Sequence, residues 1–182
     1  MTVPQVLFDA EVPNRESILG QGFWFDPADR KRRLPDEAMW PPELDECPAE
    51  GKNRFVDRRS VFRIARRAIE TPDDPSSATQ LLVASIIWGT GPRGRNAGFR
   101  LDGLHQDPDA PRKLTKALQV VRASGAKSAF EAMSWGGSCK VIEIAAAFFS
   151  KFLYFGGWDA KPYLWRPLIM DERVIRALNR TT

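Results

Sequence analysis

The chain has 182 residues, of which 43% are hydrophobic, and it carries a formal net charge of +4 with a single His. This length predicts one domain with a full hydrophobic core, and the hydrophobic content excludes a wholly disordered chain. The two cysteines stand outside any C-x-x-C pair, so the sequence offers neither a disulfide scaffold nor a ligand set for zinc or an iron–sulfur cluster. We therefore expect no metal and no cofactor.

The positive charge comes mainly from arginine, with 19 Arg against 8 Lys. The guanidinium group binds phosphate and stacks on rings, which favours nucleic acid as a partner, although solvated arginines on an ordinary surface would give the same count. No apolar run is long enough to span a membrane, and the N-terminal segment lacks the apolar region of a signal peptide. We expect a cytoplasmic monomer that does not contact a membrane.

Residues 1–57 are predicted to form a proline-rich N-terminal arm. Its seven prolines forbid long helices, whereas its six Phe and Trp residues supply too much apolar area for a free tail. We therefore expect a largely irregular segment that packs on the rest of the chain. The basic run Arg30–Arg33 is interpreted as a solvated surface, with phosphate contact as the alternative.

Residues 58–182 are predicted to form a helical domain, which makes the fold class all-α. Apolar residues recur there at helical spacing, and no strand alternation is convincing anywhere in the chain. The segment 78–88 is apolar nearly all round, which predicts a buried central helix. Further helices are expected at about 57–70, 112–124 and 126–135, as one bent or two short helices over 139–157, and from Asp171 onward.

A single lysine, Lys151, interrupts the apolar sequence AAAFFSKFLYFGG. Lysine is rarely buried without a reason. One interpretation is that Lys151 extends its amine to the surface along an apolar helix. The other is that a partly dry pocket lowers the pKa of the amine, which makes the neutral amine available as a nucleophile.

Asp171 stands directly before the predicted last helix, whose inward residues are Val174, Ile175 and Leu178. An Asp in this place accepts hydrogen bonds from the amides of the first turn and so caps the helix. The same carboxylate can face a neighbouring pocket, so the capping role and a catalytic role do not exclude each other.

Lys151 and Asp171 stand 20 residues apart, and the apolar segment Pro167–Met170 precedes the acid. The motif F-F-x-K-x-L-Y-F occupies residues 148–155. In this combination the chain resembles the helix-hairpin-helix DNA glycosylase superfamily, and most closely its bacterial 8-oxoguanine-glycosylase-like branch.

The resemblance covers about residues 58–180 in helix order and is specific over about 139–178, and it places the hairpin at about 139–157. The hairpin of that superfamily usually carries a G-x-G whose backbone amides bind a DNA phosphate. This chain has alanine instead of glycine there. We expect the amides of Ala145 and Ala147 to take the phosphate-binding role.

The resemblance also implies a mechanism. The nucleotide flips out of the duplex, Lys151 attacks C1′ and displaces the base, and β-elimination from the resulting Schiff base can cut the strand. Asp171 would stabilise the positive charge that develops on the sugar and help to deprotonate Lys151.

Two further sets of residues are implied to bind DNA. The glycine-rich loop 89–98 lies where the superfamily fills the gap left by the flipped base, and its candidate contacts are Arg93, Arg95 and Asn96. Trp158 and Trp165 lie between Lys151 and Asp171, and they are the candidates for stacking on the flipped base.

We therefore expect a DNA glycosylase that excises a damaged or modified base from duplex DNA, with or without AP-lyase activity. Its role would be either the repair of an oxidised purine or defence against phage whose DNA carries modified bases. Two alternatives belong to other classes of protein: a non-catalytic helix-hairpin-helix DNA-binding module, and a helical adaptor in which the spacing of Lys and Asp is coincidental.

Overall fold

The protein is mostly helical, which confirms the predicted fold class. The structure, a computed structural model, describes residues 13–91, 94, 96–160, 166–171 and 174–176. The α-helices within these residues are α1 Arg15–Leu19, α2 Pro27–Lys31, α3 Arg58–Glu70, α4 Ser77–Gly89, α5 Ala97–Asp102, α6 Ala110–Met133 and α7 Ala146–Gly157. Short 3-10 helices lie at Glu37–Met39, Pro42–Leu44 and Gly103–Gln106.

The central helix α4 is buried along almost its whole length, as its apolar sequence predicts. Helices α3, α6 and α7 pack around it. Helix α3 is amphipathic and turns Val61, Ile64 and Ala68 toward this core. Its first turn is capped by Asp57, whose Oδ1 accepts a hydrogen bond from the Ser60 amide at 2.7 Å.

Helix α6 is two helices that meet at Gly125. The backbone there has a φ of 85°, in the left-handed region that glycine adopts without steric cost. This kink confirms the predicted break between a helix at 112–124 and a second, shorter helix.

The prediction that the chain has no strand is wrong. Strands β1 Gly22–Phe25, β2 Ala49–Glu50 and β3 Asn53–Asp57 form an antiparallel sheet in the order β1-β3-β2. Each strand is too short for a convincing alternation, and the pairing of Gly22 with Asp57 joins segments that are distant in sequence. A local pattern carries no information about such a pairing.

The prediction of helix throughout 139–157 is also wrong, since α7 begins only at Ala146. Residues 134–145, here called the hairpin turn, connect α6 to α7 and contain no helix. Val141 and Ile144 in this turn are nevertheless buried in the core. An apolar run is therefore ambiguous, because a turn that packs against the core has the same composition as a buried helix.

The described part of the arm, residues 13–57, packs on α3 and α4. The Trp88 indole N–H donates to the Gln21 backbone carbonyl at 2.9 Å, and the side-chain amide of Gln80 donates to the Ala38 backbone carbonyl at 2.7 Å. Strand β3 continues directly into α3 at Asp57, so the division of the chain at residue 57 stays a prediction. Among the described helices, none has the length and apolar character needed to cross a membrane.

Candidate active site

Lys151 lies in the middle of α7 and is only 6% exposed. Its Nζ donates a hydrogen bond to the Ala147 carbonyl at 2.6 Å and lies 5.7 Å from the centre of the Phe148 ring. The amine therefore does not extend to the surface as the first interpretation required. The structure instead places it among apolar side chains, with a backbone carbonyl as its hydrogen-bond acceptor.

Burial lowers the pKa of the Lys151 amine, because the apolar surroundings disfavour the charged form. The negative charge of Asp171 acts in the opposite direction and raises it, but burial has the larger effect. The result is an amine with a larger neutral fraction than a solvated lysine, close enough to a carboxylate to interact with it.

Asp171 caps the last helix, as the first of its two interpretations proposed. Its Oδ1 accepts a hydrogen bond from the Val174 amide at 3.0 Å, and residues 174–176 are helical. The carboxylate also acts electrostatically on Lys151. Asp171 thus caps the helix through Oδ1 and also carries a negative charge that acts on Lys151.

Two contacts hold the segment 166–171 against α7. The Met170 amide donates to the Ser150 Oγ at 2.9 Å, next to Asp171 in the chain. At the end of α7, a Cβ on Gly157 would lie 2.7 Å from Cγ of Pro167, so the Pro167 ring packs closely on the α7 backbone because residue 157 is glycine. Sequence reasoning did not identify Ser150, although a polar residue inside an apolar helix was a usable signal.

Arg58 connects the arm to this region and was not identified from the sequence either. Its guanidinium donates to the Tyr154 hydroxyl at 3.0 Å and to Gln21 Oε1 at 2.7 Å. It also lies over the Trp88 ring, 4.8 Å from the ring centre. Because Tyr154 is one helical turn from Lys151, the arm is anchored close to the candidate active site.

Trp158, a predicted base-stacking residue, follows directly after α7 and is half-buried. Its ring centre lies 5.1 Å from that of Tyr154 and 6.0 Å from that of Phe62, and the Arg166 guanidinium lies 4.8 Å from it. Protein groups therefore cover part of the indole, and stacking on a base stays a prediction. Trp165 lies outside the described residues.

No glycine stands at residues 142–147, where the superfamily usually carries G-x-G, and Glu143 adopts the left-handed conformation there with a φ of 61°. Two cations stabilise the turn. The Arg100 guanidinium donates to the Glu143 carbonyl and lies 3.3 Å from its carboxylate. The Lys140 amine donates to the carbonyls of Val141 at 2.7 Å and Ile144 at 3.3 Å.

Ala145 and Ala147, the predicted phosphate contacts, lie at the start of α7. Ala145 is its N-cap, with extended backbone and no side-chain cap. The first amides of a helix lack partners within the helix, and the helix dipole favours an anion beside them. Their contact with a phosphate stays a prediction.

The glycine-rich loop contacts the basic run of the arm. The Arg30 side chain occupies the space that a Cβ on Gly94 would need, and the Arg33 guanidinium carbon would lie 2.7 Å from a Cβ on Gly98. Asn96 is exposed and has a φ of 64°. Arg93 and Arg95, the other predicted DNA contacts of this loop, lie outside the described residues.

A family model with the description "Putative 8-oxoguanine DNA glycosylase OGG-like protein" matches residues 16–182 of the chain. No curated protein matches the chain, and no solved structure matches it.

Proposed function

The chain belongs to the OGG-like glycosylase family, and from this premise we propose that it excises a damaged or modified base from DNA with Lys151 as the nucleophile. The observation that carries the proposal is a buried amine that interacts with the charge of Asp171. A nucleophilic amine must be neutral, and burial is the means by which proteins keep a lysine neutral.

The first step replaces one bond at C1′ by another. The neutral Lys151 amine forms a bond to C1′ while the bond between C1′ and the base nitrogen breaks. The electron pair of that bond leaves with the base, which takes up a proton. The substituted amine then gives its extra proton to the Asp171 carboxylate, which also stabilises the positive charge that develops on the sugar.

The second step would give the enzyme lyase activity. The nitrogen lone pair expels the ring oxygen O4′, which takes up a proton, and C1′ becomes doubly bonded to Nζ as a Schiff base. Loss of a proton from C2′ then expels the 3′-phosphate and cuts the strand. Water finally hydrolyses the Schiff base and returns the free lysine.

The substrate in this proposal is duplex DNA with the target nucleotide flipped out, which costs a few kcal/mol of unstacking. Backbone amides of Ala145 and Ala147 would bind a phosphate at the start of α7. Arg93, Arg95 and Asn96 of the glycine-rich loop would contact the DNA beside the gap, and Trp158 and Trp165 would stack on the flipped base.

The family description makes 8-oxoguanine the first base to test. Two biological roles fit this activity, namely repair of oxidised purines and defence against phage whose DNA carries modified bases. The arm that packs on α3 and α4 and the absence of glycine from residues 142–147 support specialisation and so favour the second role. We propose that the protein acts as a monomer in the cytoplasm.

Borohydride trapping on DNA with an abasic site tests the nucleophile, because reduction of the Schiff base joins protein and DNA covalently. We expect the wild-type protein to trap and Lys151→Gln to give no product. Lys127→Gln is the matched control, since this lysine is 88% exposed on α6, and it should trap as the wild type does. A wild-type protein that never traps, or a Lys151→Gln variant that still does, would contradict the proposal.

Base release then identifies the substrate. Duplex oligonucleotides with 8-oxoguanine and phage genomes with modified bases are incubated with the protein, and the released bases are identified by mass spectrometry. DNA binding that weakens with salt, without release of any base, would instead indicate the non-catalytic module.

A further inference from the structure

The last residue of α4, Gly89, lies directly against the side chain of Lys151. A Cβ built on Gly89 would lie 2.5 Å from Lys151 Cδ, 2.8 Å from Cε and 3.7 Å from Nζ. Carbon atoms that are not bonded do not approach this closely, since their contact distance is about 3.5–4.0 Å. The lysine chain therefore occupies the space that any larger residue at position 89 would take.

The backbone does not explain the glycine. Gly89 is part of the regular helix α4, and the next residue, Thr90, is also in the right-handed helical region. Alanine is a better helix former than glycine, so helix stability alone favours alanine at this position. The requirement for glycine comes from the side chain of Lys151 and not from the conformation of α4.

The path of the lysine is thus fixed at two points. Gly89 accommodates the Cδ and Cε atoms, and the Ala147 carbonyl binds the amine at the end of the chain. The two contacts come from different helices, α4 and α7, and together they hold the amine inside the protein.

We propose that Gly89 is a positioning residue that determines the reach and the burial of the Lys151 amine. This role rests on the proposed function, because it matters for activity only if Lys151 is the nucleophile. A methyl group at position 89 displaces the lysine chain from its buried path toward water. The displaced amine is better solvated and more often protonated at neutral pH, and it no longer aligns with the reacting carbon.

The rate of borohydride trapping at saturating abasic DNA, measured across pH, tests this role. For Gly89→Ala we expect a rate at least tenfold below wild type at pH 7 and a profile that moves to higher pH, because more solvent raises the pKa of the amine. The affinity for DNA should stay within twofold. A purely structural defect would lower the active fraction but would not move the pH profile.

Gly156→Ala is the matched control. A Cβ on Gly156, also in a buried helix, would lie close to Leu118 of α6, so this variant overpacks the core without touching Lys151. It should lower the melting temperature and leave the pH profile of trapping unchanged.

A double variant keeps the proposal testable if Gly89→Ala folds poorly. In a Lys151→Ala background, the lysine side chain that would collide with Ala at position 89 is absent. Gly89→Ala should therefore no longer lower the melting temperature in that background. A loss that persists in this background overturns the proposal. So does a folded Gly89→Ala variant with the wild-type rate and profile, whereas a wild-type protein that never traps overturns the proposed function itself.

Discussion

The hairpin turn and α7 each hold one lysine in contact with backbone carbonyls, and the two lysines have different surroundings. Lys140 is half-buried and bridges the carbonyls of Val141 and Ile144, which lie in the turn outside any helix or strand. Lys151 is buried within an apolar helix, contacts the carbonyl of Ala147 and interacts with Asp171.

The two lysines differ in burial, and this difference bears on the proposed role of Lys151 as the nucleophile. In the turn, the Lys140 amine donates to two backbone carbonyls and so holds the turn together. Apolar burial disfavours the charged form, which lowers the pKa of Lys151. Substitutions at Lys140 should therefore change folding and DNA binding, and substitutions around Lys151 should change the chemistry.

The largest of the remaining effects is expected for Asp171→Asn. Asparagine keeps a side-chain oxygen for the Val174 amide but removes the charge, so the cap survives and the proton acceptor does not. We expect a trapping rate about 10²–10⁴-fold lower, the range typical for loss of a general acid or base.

The pH profile of the same variant gives a second measurement. The charge of Asp171 raises the pKa of Lys151, so its removal lowers that pKa, and the residual activity should move to lower pH. This direction is opposite to the one expected for Gly89→Ala. A shift of both variants in the same direction would contradict the assigned roles.

Lys140→Met tests the structural role of the lysine in the hairpin turn. Loss of the ammonium group leaves the carbonyls of Val141 and Ile144 without this donor, which should cost about 1–2 kcal/mol of unfolding free energy. The turn carries the amides of Ala145 and Ala147, so we expect DNA affinity to fall about tenfold, a loss of about 1.4 kcal/mol.

The trapping rate of Lys140→Met at saturating DNA should stay within twofold of wild type. Melting curves, binding titrations and single-turnover trapping separate these quantities, with Lys127→Met as an exposed control. A loss of trapping at saturating DNA would contradict the proposal that Lys140 stabilises the turn while Lys151 is the nucleophile.

A smaller effect is expected for Ser150→Ala, which removes the hydrogen bond from the Met170 amide next to Asp171. One such bond contributes about 1 kcal/mol, so we expect about a fivefold loss in trapping rate with unchanged DNA affinity.

The matched control is Ser85→Ala, because the buried Ser85 hydroxyl donates only within α4, to the Leu81 carbonyl at 2.8 Å. That variant should lose a similar amount of stability and keep the wild-type trapping rate. If the two variants trapped at equal rates, Ser150 would have no role in positioning Asp171.

Several features of this protein could be predicted from the sequence, because the signals that specify them are local. The all-round apolar pattern of α4 predicted its burial, and Gly125 marked the break within α6. The spacing of Lys151 and Asp171, with the motif around the lysine, led to the glycosylase superfamily, and the family match confirms its OGG-like branch.

The tertiary structure alone decided the features that depend on contacts between distant residues. The pairing of β1 with β3, the contact of Gly89 with Lys151 and the hydrogen bond from Met170 to Ser150 each join residues far apart in the chain. In the hairpin turn, Lys140 and Arg100 donate to backbone carbonyls, and the Arg100 contact comes from a distant part of the chain. Periodicity within one segment predicts which of its faces is buried, but it does not identify the residues that cover that face. The surroundings of the Lys151 amine, and therefore its pKa, are determined only when the helices pack.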